Sequence, residues 1–210
     1  MEKAKRIITT LLQSNRERVR IAIQKDGKLN LLSWAALKSC VEAAGGELPE
    51  RAGNDRRSVL KIKGLSRERE VILLRNTDIP KYVENGAAQA AIIGEDQVLE
   101  QGAQVTISAR LGEAKCTLQA MVKKNSTIQK MEDLDGKTVA TSLPNITKTF
   151  LNDSGIRSAT IKEFKGVEDA VDTDQCQAGF DIVETGESMR VRELRSIGVV
   201  KNFEALLITN

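Results

Sequence analysis

The sequence predicts an α/β protein with largely parallel sheets, folded as two lobes around a central cleft. Three observations carry this. Short apolar runs alternate with helical patterns along the chain. The composition changes near residues 109–116, which suggests a second lobe. Two further apolar runs then close the chain, and their return to the first lobe would give two crossings with a natural cleft.

The elements follow in order. Residues 3–17 read as an amphipathic helix, because Ile7, Ile8, Leu11 and Leu12 share one face. Its other face is charged, so it packs on the body or on another subunit. Residues 19–23 read as a strand and 31–44 as a helix stopped by Gly45-Gly46. Strands are expected at 59–62 and 71–74. Asp78 caps a short helix with Pro80 in its first turn, ended by Asn85-Gly86. A buried strand at 90–93 runs into Gly94-Glu95-Asp96 and a helix over 97–101.

In the second block, 105–109 and 118–122 read as strands. Ser126 begins a helix to Leu134, and Asp135-Gly136 marks a turn. A strand at 138–140 precedes a helix from Pro144 to about Asp153, stopped by Gly155. Then come a strand at 160–164, a helix after Gly166, a strand at 180–183 and a helix over 187–194. Strands at 199–200 and 205–208 end the chain. The expected division is an N-terminal helical extension (1–18), a first lobe (19–109 with 192–210) and a second lobe (110–191).

Composition bounds the chemistry. Charged residues make up 29% and hydrophobic residues 40% of 210 residues, an ordinary globular mix. The 32 basic residues are offset by 29 acidic ones and aromatics are 3%, which argues against nucleic acid as a partner. No run approaches the ~18 apolar residues of a membrane span. The charged N-terminus lacks a signal-peptide core, so the cytoplasm is the expected compartment and no membrane partner is expected. Cys40, Cys116 and Cys176 are too scattered for a disulfide framework or a zinc site. There is no histidine, which excludes histidine triads, bases and metal ligands. An enzyme of this composition must work with carboxylates, Lys, Arg, backbone amides or a substrate-borne metal. Transfer chemistry on highly charged substrates fits, because orientation and charge stabilisation then carry most of the rate.

Four segments could carry such chemistry. In Asp181-Ile-Val-Glu-Thr-Gly-Glu-Ser188 a buried strand delivers Thr-Gly to the start of a helix. Amides there, with the Thr185 and Ser188 hydroxyls, suit a phosphate, and Gly186 permits close approach. Asp181 or Glu184 could then meet ribose hydroxyls or a bound magnesium ion. By itself such a turn reads first as a helix cap. Lys25, Gly27 and Lys28 follow a strand and could meet a polyphosphate, or form a solvated turn. Gly94, Glu95 and Asp96 also end a strand, and bind a ribose, orient a metal or cap the next helix. Arg56-Arg57 could face a pyrophosphate or simply be solvated.

Six stretches, in order, resemble the ATP phosphoribosyltransferase family, which opens histidine biosynthesis. They are Ile21-Ala-Ile-Gln-Lys-Asp-Gly-Lys-Leu29, Asp78-Ile-Pro-Lys-Tyr-Val-Glu-Asn-Gly86, Ile92-Ile-Gly-Glu-Asp96, Leu111-Gly-Glu-Ala-Lys-Cys116, Gly136-Lys-Thr-Val-Ala-Thr-Ser-Leu-Pro-Asn145 and Asp181-Ile-Val-Glu-Thr-Gly-Glu-Ser-Met189. The resemblance covers residues 19–210.

The resemblance implies a fold like the type II periplasmic binding proteins. It also implies transfer of phosphoribosyl from phosphoribosyl pyrophosphate to N1 of ATP, with magnesium bound mainly through substrate phosphates. Carried over, Asp181, Glu184, Thr185, Gly186, Glu187 and Ser188 hold phosphoribosyl pyrophosphate, with the 5′-phosphate on residues 185–188. Lys25, Lys28 and Arg57 face the phosphates as catalytic groups, with Gly94, Glu95 and Asp96 on the ATP and pyrophosphate side. The chain resembles the family's short form, and a cropped long form would look similar; for the short form the expected assembly is a homodimer within a hetero-oligomer whose regulatory subunit resembles a histidyl-tRNA synthetase. Departures from the family pattern are Lys28 for arginine, Gln89-Ala-Ala91 for Asp-Leu-Gly, Asp174-Gln-Cys-Gln177 for Gly-Leu-Ala-Asp, and Arg192-Glu193 for Asn-Gly. Two rival readings are a catalytically weakened paralogue that binds phosphoribosyl pyrophosphate or nucleotide as a regulator, and a solute-binding module of similar fold.

Overall fold

The computed structural model describes residues 1–49 and 58–210. The chain divides into two compact units. One comprises Met1–Ala114 with Glu204–Asn210, the other Lys115–Phe203.

The first unit holds α1 (Glu2–Gln13), β1 (Arg18–Gln24), α2 (Lys28–Ala43), β2 (Val59–Lys61), β3 (Glu68–Leu74), α3 (Ile79–Glu84), β4 (Ala90–Gly94), α4 (Glu95–Gln101), β5 (Thr106–Arg110) and, at the chain end, β11 (Ala205–Thr209). Its sheet runs β2-β3-β1-β4-β11-β5. Only the centre is parallel: β1 pairs with β3 and β4, with Gln24 level with Leu74 and Ile23 level with Ile92. β2, β11 and β5 are antiparallel, so the sheet is mixed where the sequence suggested largely parallel.

Period-two alternation builds two cores here. Val19, Ile21, Ile23, Val71, Leu73, Ile92 and Leu207 pack with α1 and α2. Ala22, Ile72, Leu74, Ala91, Ile93, Leu206 and Ile208 pack with α3 and α4. Burial on both faces is why these strands read as continuous apolar runs.

The N-terminal helix is part of this unit. Ala4, Ile8 and Leu12 are fully buried, and α1 stops at Gln13, four residues before the end expected from the sequence. Arg69 explains the stop. Only 2% exposed, its guanidinium donates to the carbonyls of Leu12 (2.7 Å), Ser14 (2.7 Å) and Arg16 (3.2 Å). The last helical carbonyl groups thus find a partner after the helix ends.

The second unit holds β6 (Cys116–Lys123), a 3₁₀ turn (Met131–Leu134), β7 (Thr138–Thr141), α5 (Pro144–Asp153), β8 (Thr160–Glu163), α6 (Val167–Asp172), β9 (Ala178–Val183), α7 (Glu187–Val191) and β10 (Leu194–Phe203). Its sheet runs β10-β6-β9-β7-β8. β7 is parallel to β8 and β9, whereas β6 is antiparallel to β9 and β10. Phe180, Val139 and Leu118 face α5, and Phe150 meets Phe180 at 6.0 Å between ring centres. On the other face Gly179 lets α6 sit against β9; a Cβ there would lie 2.6 Å from Val167 Cγ1.

Three expectations change in this unit. Residues 126–134 form only the short 3₁₀ turn, because Asp133 Oδ2 accepts from the Gln129 and Lys130 amides and stops a longer helix from starting. Those amides hold the Asp133 carboxyl below its usual range. The helix expected over 187–194 ends at Val191, since Glu193 takes a left-handed conformation (φ 50°) and Leu194 begins β10. Residues 192–210 were expected in the first lobe, but 194–203 pair with β6. Irregularities between Ser196 and Gly198, and between Val199 and Lys201, break the alternation that would have revealed this strand.

Two stability tests follow from this packing. Arg69→Met should lower the unfolding free energy by about 2 kcal/mol, because buried carbonyls lose a charged donor; urea denaturation measures it. Glu193→Gly should raise it by about 1 kcal/mol by removing left-handed strain, read in the same way.

Candidate functional site

Parallel strands place their following loops on one edge of a sheet. In the first unit, β1 lies between β3 and β4, so the connections leave it in opposite directions and open a switch point between β1 and β4. Lys25 follows β1 and Gly94 ends β4; each lies two residues beyond the paired Ile23 and Ile92. The Lys25–Lys28 loop and the Gly94–Asp96 turn therefore share this edge.

The Lys25 amide donates to the Leu74 carbonyl (2.7 Å), which fixes the start of the loop. Gly27 (φ 87°) caps α2, and the Asn30 side chain donates back to the Gln24 carbonyl. Lys25 and Lys28 are exposed. Arg56 and Arg57 lie outside the described residues.

The two carboxylates of this edge differ. Glu95, 7% exposed, is committed: its oxygens accept from both terminal nitrogens of Arg110, at 2.7 and 3.0 Å. Arg110 also bonds Glu204 (3.1 Å), and Glu204 accepts from the Gly112 amide (2.7 Å). Hydrogen bonds to the two glutamates push the Arg110 guanidinium well above its usual pKa. Asp96 folds back over Gly94, where an added Cβ would meet its Oδ1. Burial pushes the Asp96 carboxyl up, against the lowering hydrogen bond from Gln97 (2.7 Å). Of this group, Asp96 and Lys25 are the better placed for a ligand, and Glu95 is structural.

In the second unit β9 leads through Glu184 and Thr185 to Gly186, which caps α7 in a left-handed conformation (φ 74°). A Cβ on Gly186 would meet only Val183, at 3.9 Å, so the backbone angle and not crowding calls for glycine. Thr185 and Ser188 are exposed, and the Glu187 amide reaches Thr185 Oγ1 at 3.4 Å. The Glu187 carboxylate is paired with Arg190 (2.6 Å), and that contact lowers its pKa. Glu187 thus offers the site an amide rather than a carboxylate.

Asp181 sits on the α6 side of β9. Its Oδ1 accepts from Ser142 Oγ (2.6 Å) and from the Ile182 amide (2.9 Å). Burial pushes its carboxyl up, while the Ser142 hydroxyl opposes the shift. Beyond it, Gln119 stands level with Asp181 on β6 and donates to Thr117 Oγ1 (2.8 Å). The sequence reading missed Ser142, Thr117 and Gln119. Only the register of β7 and β6 against β9 brings them here, although Ser142 stands inside a motif already singled out. α7 is tied down at its far end by Arg192, which bonds Asp169 (2.7 Å) and the Ser188 carbonyl (3.4 Å). A cavity of about 700 Å³ lined by Lys123, Lys124, Asp172 and Arg192 lies at the opposite end of this sheet and contains none of the predicted site residues.

The predicted residues thus form two groups. Lys25, Lys28, Gly94, Glu95 and Asp96 share an edge of the first unit's sheet, and Asp181, Glu184, Thr185, Gly186, Glu187 and Ser188 an edge of the second's. Each edge offers amides, hydroxyls or ammonium groups beside a half-buried carboxyl, Asp96 in one and Asp181 in the other, a combination suited to a phosphorylated, hydroxyl-bearing ligand.

Comparison with known proteins gives the same direction. The profile of the family described as HisG: ATP phosphoribosyltransferase matches residues 75–210. The ATP phosphoribosyltransferase of Parabacteroides distasonis is 36% identical over 193 residues, covering 91% of this chain and 65% of the relative. That of Methanocella arvoryzae is 33% identical over 192 residues, with the same coverage. The chain spans just under two thirds of the length of these relatives. Among solved structures, the ATP phosphoribosyl transferase (HisG:HisZ) complex from Thermotoga maritima matches with a TM-score of 0.72 and 20% identity, over 91% of this chain and 87% of that chain. The periplasmic sulfonate-binding protein SsuA from Methylobacillus flagellatus matches with a TM-score of 0.60 and 15% identity, over 93% and 62%. At those identities the structures show the fold alone, which is that of the type II periplasmic binding proteins. With the profile over most of its length and relatives above 30% identity, the chain belongs to the ATP phosphoribosyltransferase family.

Proposed function

We propose that this chain transfers phosphoribosyl from phosphoribosyl pyrophosphate to N1 of ATP, releasing pyrophosphate and forming phosphoribosyl-ATP, the first step of histidine biosynthesis. The observation that carries the reading is the β9–α7 turn. There a left-handed glycine opens a helix between the exposed Thr185 and Ser188 hydroxyls, just beyond the half-buried Asp181 carboxyl. The amides of residues 186–188 and the two hydroxyls hold the 5′-phosphate. Asp181 accepts hydrogen bonds from the ribose hydroxyls. Glu184 stands at the mouth of the same turn.

The remaining roles rest on charge. Lys25, Lys28 and Arg57 meet the pyrophosphate. Asp96 and Gly94 lie on the ATP side, and Glu95 holds that turn in place through Arg110. In the transfer, a bond forms from adenine N1 to ribose C1 as the C1–oxygen bond to pyrophosphate breaks. The electron pair leaves with pyrophosphate, where the cationic groups stabilise it. Adenine N1 carries its lone pair at neutral pH, so no general base is required, in keeping with a chain that has no histidine. Magnesium belongs to the substrate in this account. Among the described residues no three Cys, Asp or Glu side chains converge to hold an ion, and the pyrophosphate supplies the ligands.

The likeness to a HisG:HisZ complex supports a hetero-oligomer. We place the chain as a homodimer within one, beside a regulatory subunit resembling a histidyl-tRNA synthetase, in the cytoplasm. Among the described residues no helix is long and apolar enough to cross a membrane.

The test is an absorbance assay for phosphoribosyl-ATP with magnesium, both substrates and pyrophosphatase, run with and without a regulatory subunit. Product in either arm supports the reading. Saturable binding of phosphoribosyl pyrophosphate with no product in both arms would indicate a regulatory paralogue instead. Gly186→Val should lower affinity for phosphoribosyl pyrophosphate at least tenfold while costing about 1–2 kcal/mol of stability, because valine resists the left-handed conformation. Calorimetric titration and denaturation read the two effects. Unchanged affinity would remove the turn from the site.

A further inference from the structure

We propose that Ser142 is a positioning residue, whose hydroxyl fixes one oxygen of Asp181 so that the other reads the ribose hydroxyls of a phosphoribosyl ligand. This rests on the reading of the β9–α7 turn given above.

The parallel register brings the two residues together. Thr141 is level with Phe180, so the next residues along, Ser142 and Asp181, are neighbours at the end of the sheet. Both turn toward α6, because Thr141 and Phe180 face the other way. The Thr141 hydroxyl bonds that of Thr147 on α5 (2.8 Å), and Phe180 packs on Phe150. Strand geometry thus aims Ser142 at Asp181.

The hydrogen bonds then divide the carboxylate. Oδ1 accepts from Ser142 Oγ (2.6 Å) and from the Ile182 amide (2.9 Å). Oδ2 has no hydrogen bond among the described residues and is not fully sealed from solvent. Two donors on one oxygen hold the group against rotation, since turning it would break both bonds. The other oxygen is a fixed acceptor. About 7 Å of strand separates Asp181 from Val183, where β9 ends ahead of the Thr-Gly turn. A ribose ring with its 5′-carbon covers such a span, which places its hydroxyls at Asp181 when its phosphate is on the turn.

Ser142 has no evident duty to the fold. The start of α5 is served by its neighbours: the Leu143 amide donates to Thr141 Oγ1 (3.0 Å), and the Thr147 amide to the Leu143 carbonyl (3.0 Å). The Ser142 hydroxyl proton goes to Asp181 alone.

The test is calorimetric titration of the intact chain with ribose 5-phosphate and with 2-deoxyribose 5-phosphate. Wild type should prefer ribose 5-phosphate. Ser142→Ala should bind ribose 5-phosphate about fivefold more weakly, with the preference over the deoxy sugar falling toward one. Ser142→Thr, which keeps the hydroxyl, should retain both. Thermal melting of each variant checks that the fold persists. A Ser142→Ala protein with the wild-type preference overturns the proposal, and so does equal weakening for both sugars, which would mark damage to the phosphate turn. Failure of Ser142→Thr to retain the preference counts against it as well. A wild-type chain that binds neither sugar phosphate is a different result: it removes the phosphoribosyl reading itself, and the role of Ser142 with it.

Discussion

The hydrogen bonds that hold β1 parallel to β3 and β4, and β7 parallel to β8 and β9, govern most of what the molecule can do. A parallel neighbour cannot be reached by a hairpin, so each strand must exit at the same edge and return through a helix on one face. In the first unit the exits after β1 and β4 bring an exposed lysine loop beside Gly94 and Asp96. In the second, the exits after β7 and β9 bring Ser142 beside Asp181 and the Thr-Gly turn. Both edges also gather helix starts, so amides and side-chain donors accumulate where a charged ligand would sit. The antiparallel strands complete the sheets, and two of them add a side chain to these edges: β5 brings Arg110 to Glu95, and β6 sets Gln119 level with Asp181.

Charge pairing separates scaffold from site. Glu95, Glu187 and Arg192 each stand next to candidate ligand positions, yet each is bound to a named partner within 2.7 Å. Such pairs hold turns in shape and contribute modestly to stability where they are exposed. Asp96 and Asp181 behave differently. Each is a carboxyl raised by burial with no cation at its oxygens among the described residues. Keeping a carboxylate in such a place costs free energy, which a ligand that donates hydrogen bonds can offset.

Much of this was legible in the amino-acid order, for identifiable reasons. The apolar runs of β1, β3 and β4 are buried on both faces and could hardly be anything else. Pro144, Gly155, Gly166 and Gly186 mark helix ends that the structure keeps. Where the reading went astray, distant contacts decided. β10 was hidden by two irregularities in its pairing with β6. The end of α1 depends on Arg69, fifty-five residues beyond Ser14. The helix expected after Ser126 gave way to amides captured by Asp133. In the candidate site, the Thr-Gly turn is local and could be read directly. Ser142 and Gln119 reach Asp181 only through strand register, which no local pattern encodes.

The most direct test of the central claim, that the β9–α7 turn holds a sugar phosphate, is an amide-resolved NMR titration of the chain with phosphoribosyl pyrophosphate. The account predicts that the largest shifts fall on the amides of residues 185–188, with smaller ones at Ser142, Asp181 and Ile182. Saturable binding that leaves those amides unmoved, with shifts gathered on another part of the second unit, would contradict it.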